Sequence, residues 1–266
     1  MQWMNSKEMN MGRLQKIFER KTTGVLNVYF TAGYPALDAT VALMKTLQDE
    51  GVDIIELGMP YSDPLADGPV IQESSSVALS NGMSISALFN QLENFRKDIH
   101  VPVVLMGYMN PVLQYGFEKF CQDAAKVGVD GLILPDLPPF EFESSYGDVI
   151  KKCGLDFIFL VTPETPVERI KLLDQLSSGF LYAVSSSSTT GKEKNMNDVV
   201  EYVDRLKSYQ LKNPIMVGFG IKDKSTFSML DGHANGGIIG SAFIKSLDDS
   251  SDYISSAQTF IRSILK

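Results

Sequence analysis

Eight short apolar runs, each followed by a turn and then by a helical pattern, succeed one another along the chain and predict an α/β fold: a single closed (β/α)8 barrel. Strict alternation of strand and helix requires parallel strands joined by helical crossovers. Eight units in about 240 residues is the size of such a barrel. An open doubly wound sheet would need fewer units or a nucleotide fingerprint after its first strand, and Thr31-Ala-Gly-Tyr-Pro35 is not one. No linker or shift of composition marks a second domain within residues 12–266. Residues 1–11 are polar, Met-rich and aperiodic, and a disordered extension is expected there.

Leu14, Ile17 and Phe18 share one face of a short helix ahead of the barrel. Strands are expected at 26–31, 53–57, 103–106, 131–134, 157–161, 180–184, 214–217 and 237–239. Helices are expected at 36–49, 70–97, 114–126, 140–153, 166–177, 195–209, 223–230 and 249–265, each opening at or near Pro, Asp, Asn or Ser. The pattern at 70–97 is interrupted at Asn81-Gly82, and a further short helix starts at Ser241, so helical insertions beyond the eight units are expected.

A barrel of this kind carries its site on the loops after the strands, and the unusual residues of this chain collect there. Residues 53–69 are the most informative. With a side-chain period of two, Ile54, Glu56 and Gly58 share one strand face and Ile55 and Leu57 the other. A carboxylate therefore sits on an otherwise apolar strand. The loop that follows is stiffened by Pro60, Pro64 and Pro69 and carries Asp63 and Asp67. No Lys or Arg occurs between Lys45 and Arg96, although Asp49, Glu50, Asp53, Glu73 and Glu93 join the three carboxylates already named. Glu56 thus either faces water at the rim or is desolvated with a raised pKa, the state a proton donor or acceptor needs. Asp63, within Ser-Asp-Pro, also reads as a simple turn former.

Later loops add Tyr108-Met-Asn-Pro111, Pro135-Asp-Leu-Pro138, Ser185-Ser-Ser-Ser-Thr-Thr-Gly-Lys192, Gly218-Phe-Gly-Ile221 and Gly240-Ser-Ala-Phe243. Glycines after the last two strands let the backbone approach a phosphate, and a helix beginning at Ser241 would aim NH groups at it. Neither Gly218-Phe-Gly220 nor Gly191-Lys192 completes a nucleotide motif: Asp223 stands where a third glycine would be, and Gly191-Lys192 lacks the following Ser or Thr and the upstream glycine. The serine run has no histidine near it in sequence and is expected to form a mobile loop at roughly 185–195.

Of the 266 residues 44% are hydrophobic and 21% charged, as in an ordinary globular protein, and the net charge of -8 argues against a nucleic-acid partner. Cys121 and Cys153 match no metal or redox spacing and are expected to be reduced, hence cytoplasmic. His100 and His233 are the only histidines, and neither has a Cys or carboxylate at metal-ligand spacing, which disfavours a metal site or a His-based triad. No apolar run has signal-peptide length at the start or spans a membrane later.

Glu56-Leu-Gly-Met-Pro-Tyr-Ser-Asp-Pro-Leu-Ala-Asp-Gly-Pro69 closely resembles the signature of the tryptophan synthase alpha chain family. The likeness runs over nearly all of residues 12–266, through Thr31-Ala-Gly-Tyr-Pro35, Met106-Gly-Tyr-Met-Asn-Pro111, Gly131-Leu-Ile-Leu-Pro-Asp-Leu-Pro138, Tyr182, Thr190-Gly191, Gly218-Phe-Gly-Ile221 and Gly240-Ser241. The resemblance implies a (β/α)8 TIM barrel that cleaves indole-3-glycerol phosphate to indole and glyceraldehyde 3-phosphate without metal or organic cofactor. It implies that Glu56 moves protons at indole C3 and at the glycerol hydroxyl, that Asp67 holds the indole NH, and that Thr190 positions Asp67 when its loop closes. Tyr182 would lie beside the substrate, with Tyr29, Tyr108, Leu160 and Phe219 lining the indole pocket. Gly191, Gly220, Gly240 and Ser241 would form the phosphate cup. The implied partner is a pyridoxal-phosphate-dependent beta chain in an alpha2beta2 heterotetramer, docked on the loop from Pro60 to Pro69 with Asp63, Asn110 and Pro138. Two departures stand out: the Gly-Val that often precedes Thr-Gly is missing from the serine-rich loop, and Tyr29 replaces a phenylalanine found in some relatives.

Two functional readings follow, a lyase and a catalytically weak regulatory subunit that activates the beta chain. Retention of Glu56, Asp67 and Thr190 together favours the lyase. A barrel of the indole-glycerol phosphate synthase type would use a lysine acid, which the Lys-free strand ends disfavour.

Overall fold

The computed structural model describes residues 11–184, 196–248 and 252–266. Nine parallel strand segments form its sheet: β1 (Val25–Thr31), β2 (Ile54–Gly58), β3 (Val103–Met106), β4 (Gly131–Ile133), β5 (Asp156–Phe157), β6 (Leu160–Val161), β7 (Leu181–Ala183), β8 (Ile215–Val217) and β9 (Gly236–Ile239). Their order is β5-β4-β3-β2-β1-β9-β8-β7-β6. β5 and β6 are two halves of one stave. Ile158 N donates to Leu132 O of β4 at 3.0 Å, whereas Tyr182 N of β7 donates to Phe159 O at 3.0 Å. The stave therefore passes its hydrogen bonding from one neighbour to the other, and the ring closes on eight staves as the sequence predicts.

Alternation along the staves makes two apolar layers. Val25, Ile54, Val104, Ile133, Ile158, Phe180, Tyr182, Met216 and Ile238 meet inside the barrel. Leu26, Val28, Phe30, Ile55, Leu57, Leu105 and Leu132 pack outward against the helices. With both faces covered, β1 and β2 are buried at every position.

The helices follow the expected order with three refinements. The pattern at 70–97 resolves into Pro69–Ser80, Ile85–Gln91 and a tight turn at Phe95–Lys97. The single helix expected at 114–126 is two, Met109–Tyr115 and Phe117–Val127, because Gly116 between them has φ 95° and cannot continue a right-handed helix. The last helix runs Tyr253–Leu265, and Asp252 accepts Ser255 N at its start. The insertion expected at Ser241 is the helix Ser241–Asp248.

Helix Arg13–Arg20 seals the amino end of the barrel. Leu14 is fully buried in the inner layer and the Phe18 ring lies 6.1 Å from that of Phe180. Arg13 pairs with Asp130 at 2.9 Å, and the same carboxylate pairs with Arg96 and accepts Val103 N at 2.8 Å. The floor is thus tied to the β3–β4 edge. Leu14→Ala should lower stability by about 2–4 kcal/mol, read as a fall of several degrees in the thermal midpoint; an unchanged midpoint would mean the helix does not close the floor.

Candidate active site

β1 and β2 lie side by side in a register that pairs Tyr29 with Glu56. By strand parity Asn27 and Tyr29 of β1 point inward, as do Glu56 and Gly58 of β2. Asn27 and Glu56 are both fully buried, and Asn27 Nδ2 donates to Glu56 Oε2 at 2.9 Å. Glu56 Oε1 and Asn27 Oδ1 have no hydrogen-bond partner among the described residues. Burial pushes the Glu56 pKa up to about 8, the Asn27 hydrogen bond opposing and the charge of Asp67 adding to the rise. Of the two sequence readings of Glu56, the desolvated one is the one observed. At neutral pH the group is mostly a neutral acid.

Asp67 reaches the site from the loop after β2. Tyr108 Oη donates to Asp67 Oδ2 at 2.9 Å and accepts Ala66 N at 3.1 Å, so one phenol fixes two consecutive residues of the loop. Burial raises the Asp67 pKa, and the Tyr108 hydrogen bond opposes it. Tyr108 is itself anchored. Its ring lies 5.4 Å from that of Tyr61, whose hydroxyl accepts Asn110 Nδ2 at 3.0 Å, and both Asp136 oxygens accept Met109 N at 3.0 Å.

Two glycines make room for two inward phenols. A Cβ on Gly58 would lie 2.2 Å from Tyr29 Oη, and one on Gly218 would lie 2.0 Å from a ring carbon of Tyr182. Both hydroxyls are raised well above their usual pKa, first by burial; the Asp67 charge is the next cause for Tyr29 and the Glu56 charge for Tyr182. Glu56, Asp67, Tyr29 and Tyr182 therefore share one poorly solvated space. Leu160 is the register partner of Tyr182 across β6 and β7.

Gly218, Phe219 and Gly220 follow β8, and Gly240 and Ser241 follow the adjacent β9, which itself pairs with β1. Gly220 is exposed with φ 74°. Ser241 opens the helix Ser241–Asp248, in which Ile244 N bonds Gly240 O at 3.0 Å. The preceding NH groups of that first turn have no partner within the helix and are available to an anion. Thr190 and Gly191, with the serine run and Lys192, lie outside the described residues.

Asn27 is missed by reasoning on the sequence, where 26–31 reads as an apolar run. Its one signal is parity: it precedes Tyr29 by two residues and so shares the inner face. Asp136 reads in sequence only as part of a loop. Asp63 and Pro138 are exposed on loops after β2 and β4, and Asn110 is exposed in the first turn of the helix Met109–Tyr115 after β3. Among the described residues no three His, Cys, Asp or Glu side chains converge to hold a metal. The site offers a neutral buried acid with one unpaired oxygen, a carboxylate held by a phenol, and a glycine-rich rim with helix NH groups.

A family model described as tryptophan synthase alpha chain matches residues 15–263. The chain is 48% identical over 238 residues to the tryptophan synthase alpha chain of Parabacteroides distasonis, covering 89% of this chain and 93% of that one. It is 50% identical over 237 residues to that of Flavobacterium johnsoniae, again covering 89% and 93%. Among solved structures, tryptophan synthase subunit alpha from Legionella pneumophila superposes with a TM-score of 0.87 at 37% identity, covering 96% of this chain and 97% of that one.

Tyr108→Phe should raise the Asp67 pKa further and cost about 1–2 kcal/mol of stability, because both hydrogen bonds of the phenol are lost. Carboxyl NMR titration and thermal unfolding read the two effects; an unmoved Asp67 titration would detach Tyr108 from its positioning.

Proposed function

The chain belongs to the tryptophan synthase alpha chain family, and we propose which of its residues carry the family's reaction. That reaction is the lyase step of tryptophan biosynthesis, retro-aldol cleavage of indole-3-glycerol phosphate to indole and glyceraldehyde 3-phosphate. In our reading Glu56 is the proton-transferring group, and the observation that carries it is a fully buried acid whose Oε1 has no partner among the described residues, with burial pushing its pKa up to about 8.

Glu56 starts neutral and gives its proton to indole C3, which places positive charge on the ring nitrogen. The Asp67 carboxylate meets that N–H and stabilises the charge. Glu56, now ionised, takes the proton of the glycerol hydroxyl next to the ring. The carbon–oxygen double bond of the aldehyde forms, the bond from that carbon to C3 breaks, and its electron pair restores the indole. Glu56 ends protonated, so the cycle closes without net proton uptake. Tyr29, Tyr108, Leu160, Tyr182 and Phe219 would flank the ring, and Gly220, Gly240 and Ser241 would hold the phosphate through backbone NH groups. From their sequence match we assign Thr190 to positioning Asp67 and Gly191 to the phosphate cup.

The partner in this reading is a beta chain that consumes indole, in an alpha2beta2 assembly. Two apolar side chains stand out near Asp63 and Pro138: Leu65, two residues after Asp63, is 87% exposed, and Phe140, in the short helix Pro139–Glu141 that follows Pro138, is 77% exposed. The docking loop also holds Asp67, so partner binding would favour the arrangement in which the carboxylate meets substrate. Among the described residues no helix is long and apolar enough to cross a membrane. The free thiols of Cys121 and Cys153 support a reducing, cytoplasmic setting. A purely regulatory chain would have no reason to keep a carboxyl buried with one oxygen unpaired.

Glu56→Gln tests the reading. Indole release should fall about 10²- to 10⁴-fold, while binding and stimulation of the beta chain persist. Stability gives a second readout. The folded protein binds the extra proton between the ordinary value of 4.5 and about 8, so wild type loses stability as pH rises through that window. The glutamine variant lacks this loss and should gain on wild type by roughly a few kcal/mol above pH 8, because each tenfold change in proton affinity is worth about 1.4 kcal/mol. Wild-type cleavage by the variant would make Glu56 structural and restore the regulatory reading.

A further inference from the structure

Asn27 has no role in the mechanism above, yet it is the only described hydrogen-bond donor to the acid. It sits on the inner face of β1, fully buried, with its Oδ1 unpaired among the described residues. A buried amide with one acceptor unmet destabilises a barrel that an aliphatic residue would fill at no such cost. Its neighbours on the inner layer, Val25 and Ile54, are aliphatic. Packing therefore gives no reason for an amide at this place, and the donated hydrogen bond does.

Resting on the assignment of Glu56 as the proton-transferring group, we infer that Asn27 is a positioning residue for the reaction: by holding Oε2 it turns Oε1 toward the substrate and makes that oxygen the one that exchanges protons. Without the amide, the carboxyl could rotate and present either oxygen or neither. The amide also serves both halves of the cycle. Nδ2–H donates to Oε2 whether the group is acid or carboxylate, and it favours the ionised form against burial. Asn27 thereby keeps the acid strong enough to protonate a ring carbon. The titratable groups around Glu56 are Asp67 from the loop after β2, Tyr29 from β1 and Tyr182 from β7, and all of them raise or are raised by its charge. None supplies a donor to Oε2, so the effect of Asn27 is separable from theirs.

The test compares wild type, Asn27→Leu, Asn27→Ala and Glu56→Gln with indole-3-glycerol phosphate across pH. Both Asn27 variants should lose about 10- to 100-fold in kcat, with KM nearly unchanged and the alkaline limb of kcat/KM moved to higher pH. The carboxyl carbon resonance of Glu56, identified by its absence in Glu56→Gln, should titrate at higher pH in the Asn27 variants. In wild type the Asn27 side-chain amide signals should titrate together with that resonance, a reading that needs no variant to fold. If Glu56→Gln is inactive while the Asn27 variants keep the wild-type pH profile and Glu56 titration, Asn27 merely fills space and this inference fails. If the Asn27 amide signals in wild type do not follow Glu56, it fails equally. Full activity of Glu56→Gln would instead overturn the assignment on which it rests.

Discussion

A carboxyl taken out of water inside a ring of parallel strands survives there by staying neutral, and much of this molecule is arranged around that constraint. Among the described residues Glu56 has one hydrogen bond, from Asn27, and burial outweighs that bond to push its pKa up to about 8. A nearby lysine or arginine would ionise the group and remove its proton-donating state. The stretch from residue 46 to 95 contains neither. The helix Arg13–Arg20 closes the barrel beneath the acid, with Leu14 in the inner layer. The burial that makes the acid useful also costs stability at alkaline pH, and the large two-layered core offsets that cost.

Around the mouth, the glycine loops after β8 and β9 lie between the staves of the two phenols, β1 with Tyr29 and β7 with Tyr182, while Glu56 stands on β2 beyond β1. Tyr108 links the arrangement to the outside. Its hydroxyl fixes Asp67 and Ala66, while its ring rests on Tyr61, which is tied to the exposed Asn110. A partner pressing on the loop from Pro60 to Pro69 would therefore act on Asp67 through two aromatic rings rather than through backbone alone.

Much of this is legible in the residues. Period-two alternation puts Glu56 on the face of Ile54 and Gly58, but with Ile55 and Leu57 apolar on the opposite face it does not say which of the two is inner; the packing of Ile54 inside the barrel does. The run of strands and helices identifies the barrel for a similar reason: each element buries a face whose period is visible. The split of the fifth stave at Ile158 and Phe159 is not visible, because it arises where hydrogen bonding changes from β4 to β7, and pairing partners leave no mark in local sequence. Gly116 can be read as a break, since it separates two apolar stripes, but glycine inside a helical pattern is ambiguous until its φ is known. Asn27 escapes because a single amide in an apolar run resembles a tolerated polar residue. Its meaning depends on Glu56 being its neighbour across the strands, which only strand pairing supplies.

The fit between Tyr29 and Gly58 bears on how such a site could change over generations. The phenol occupies the space where any side chain at 58 would begin. A lineage that first gained a side chain at 58 would collide with the ring, whereas one that first lost the ring would open a void that a later side chain could occupy. The two positions are thus open to change in one order only, and the pocket is constrained by the sequence of steps that leads to it as well as by the substrate it holds.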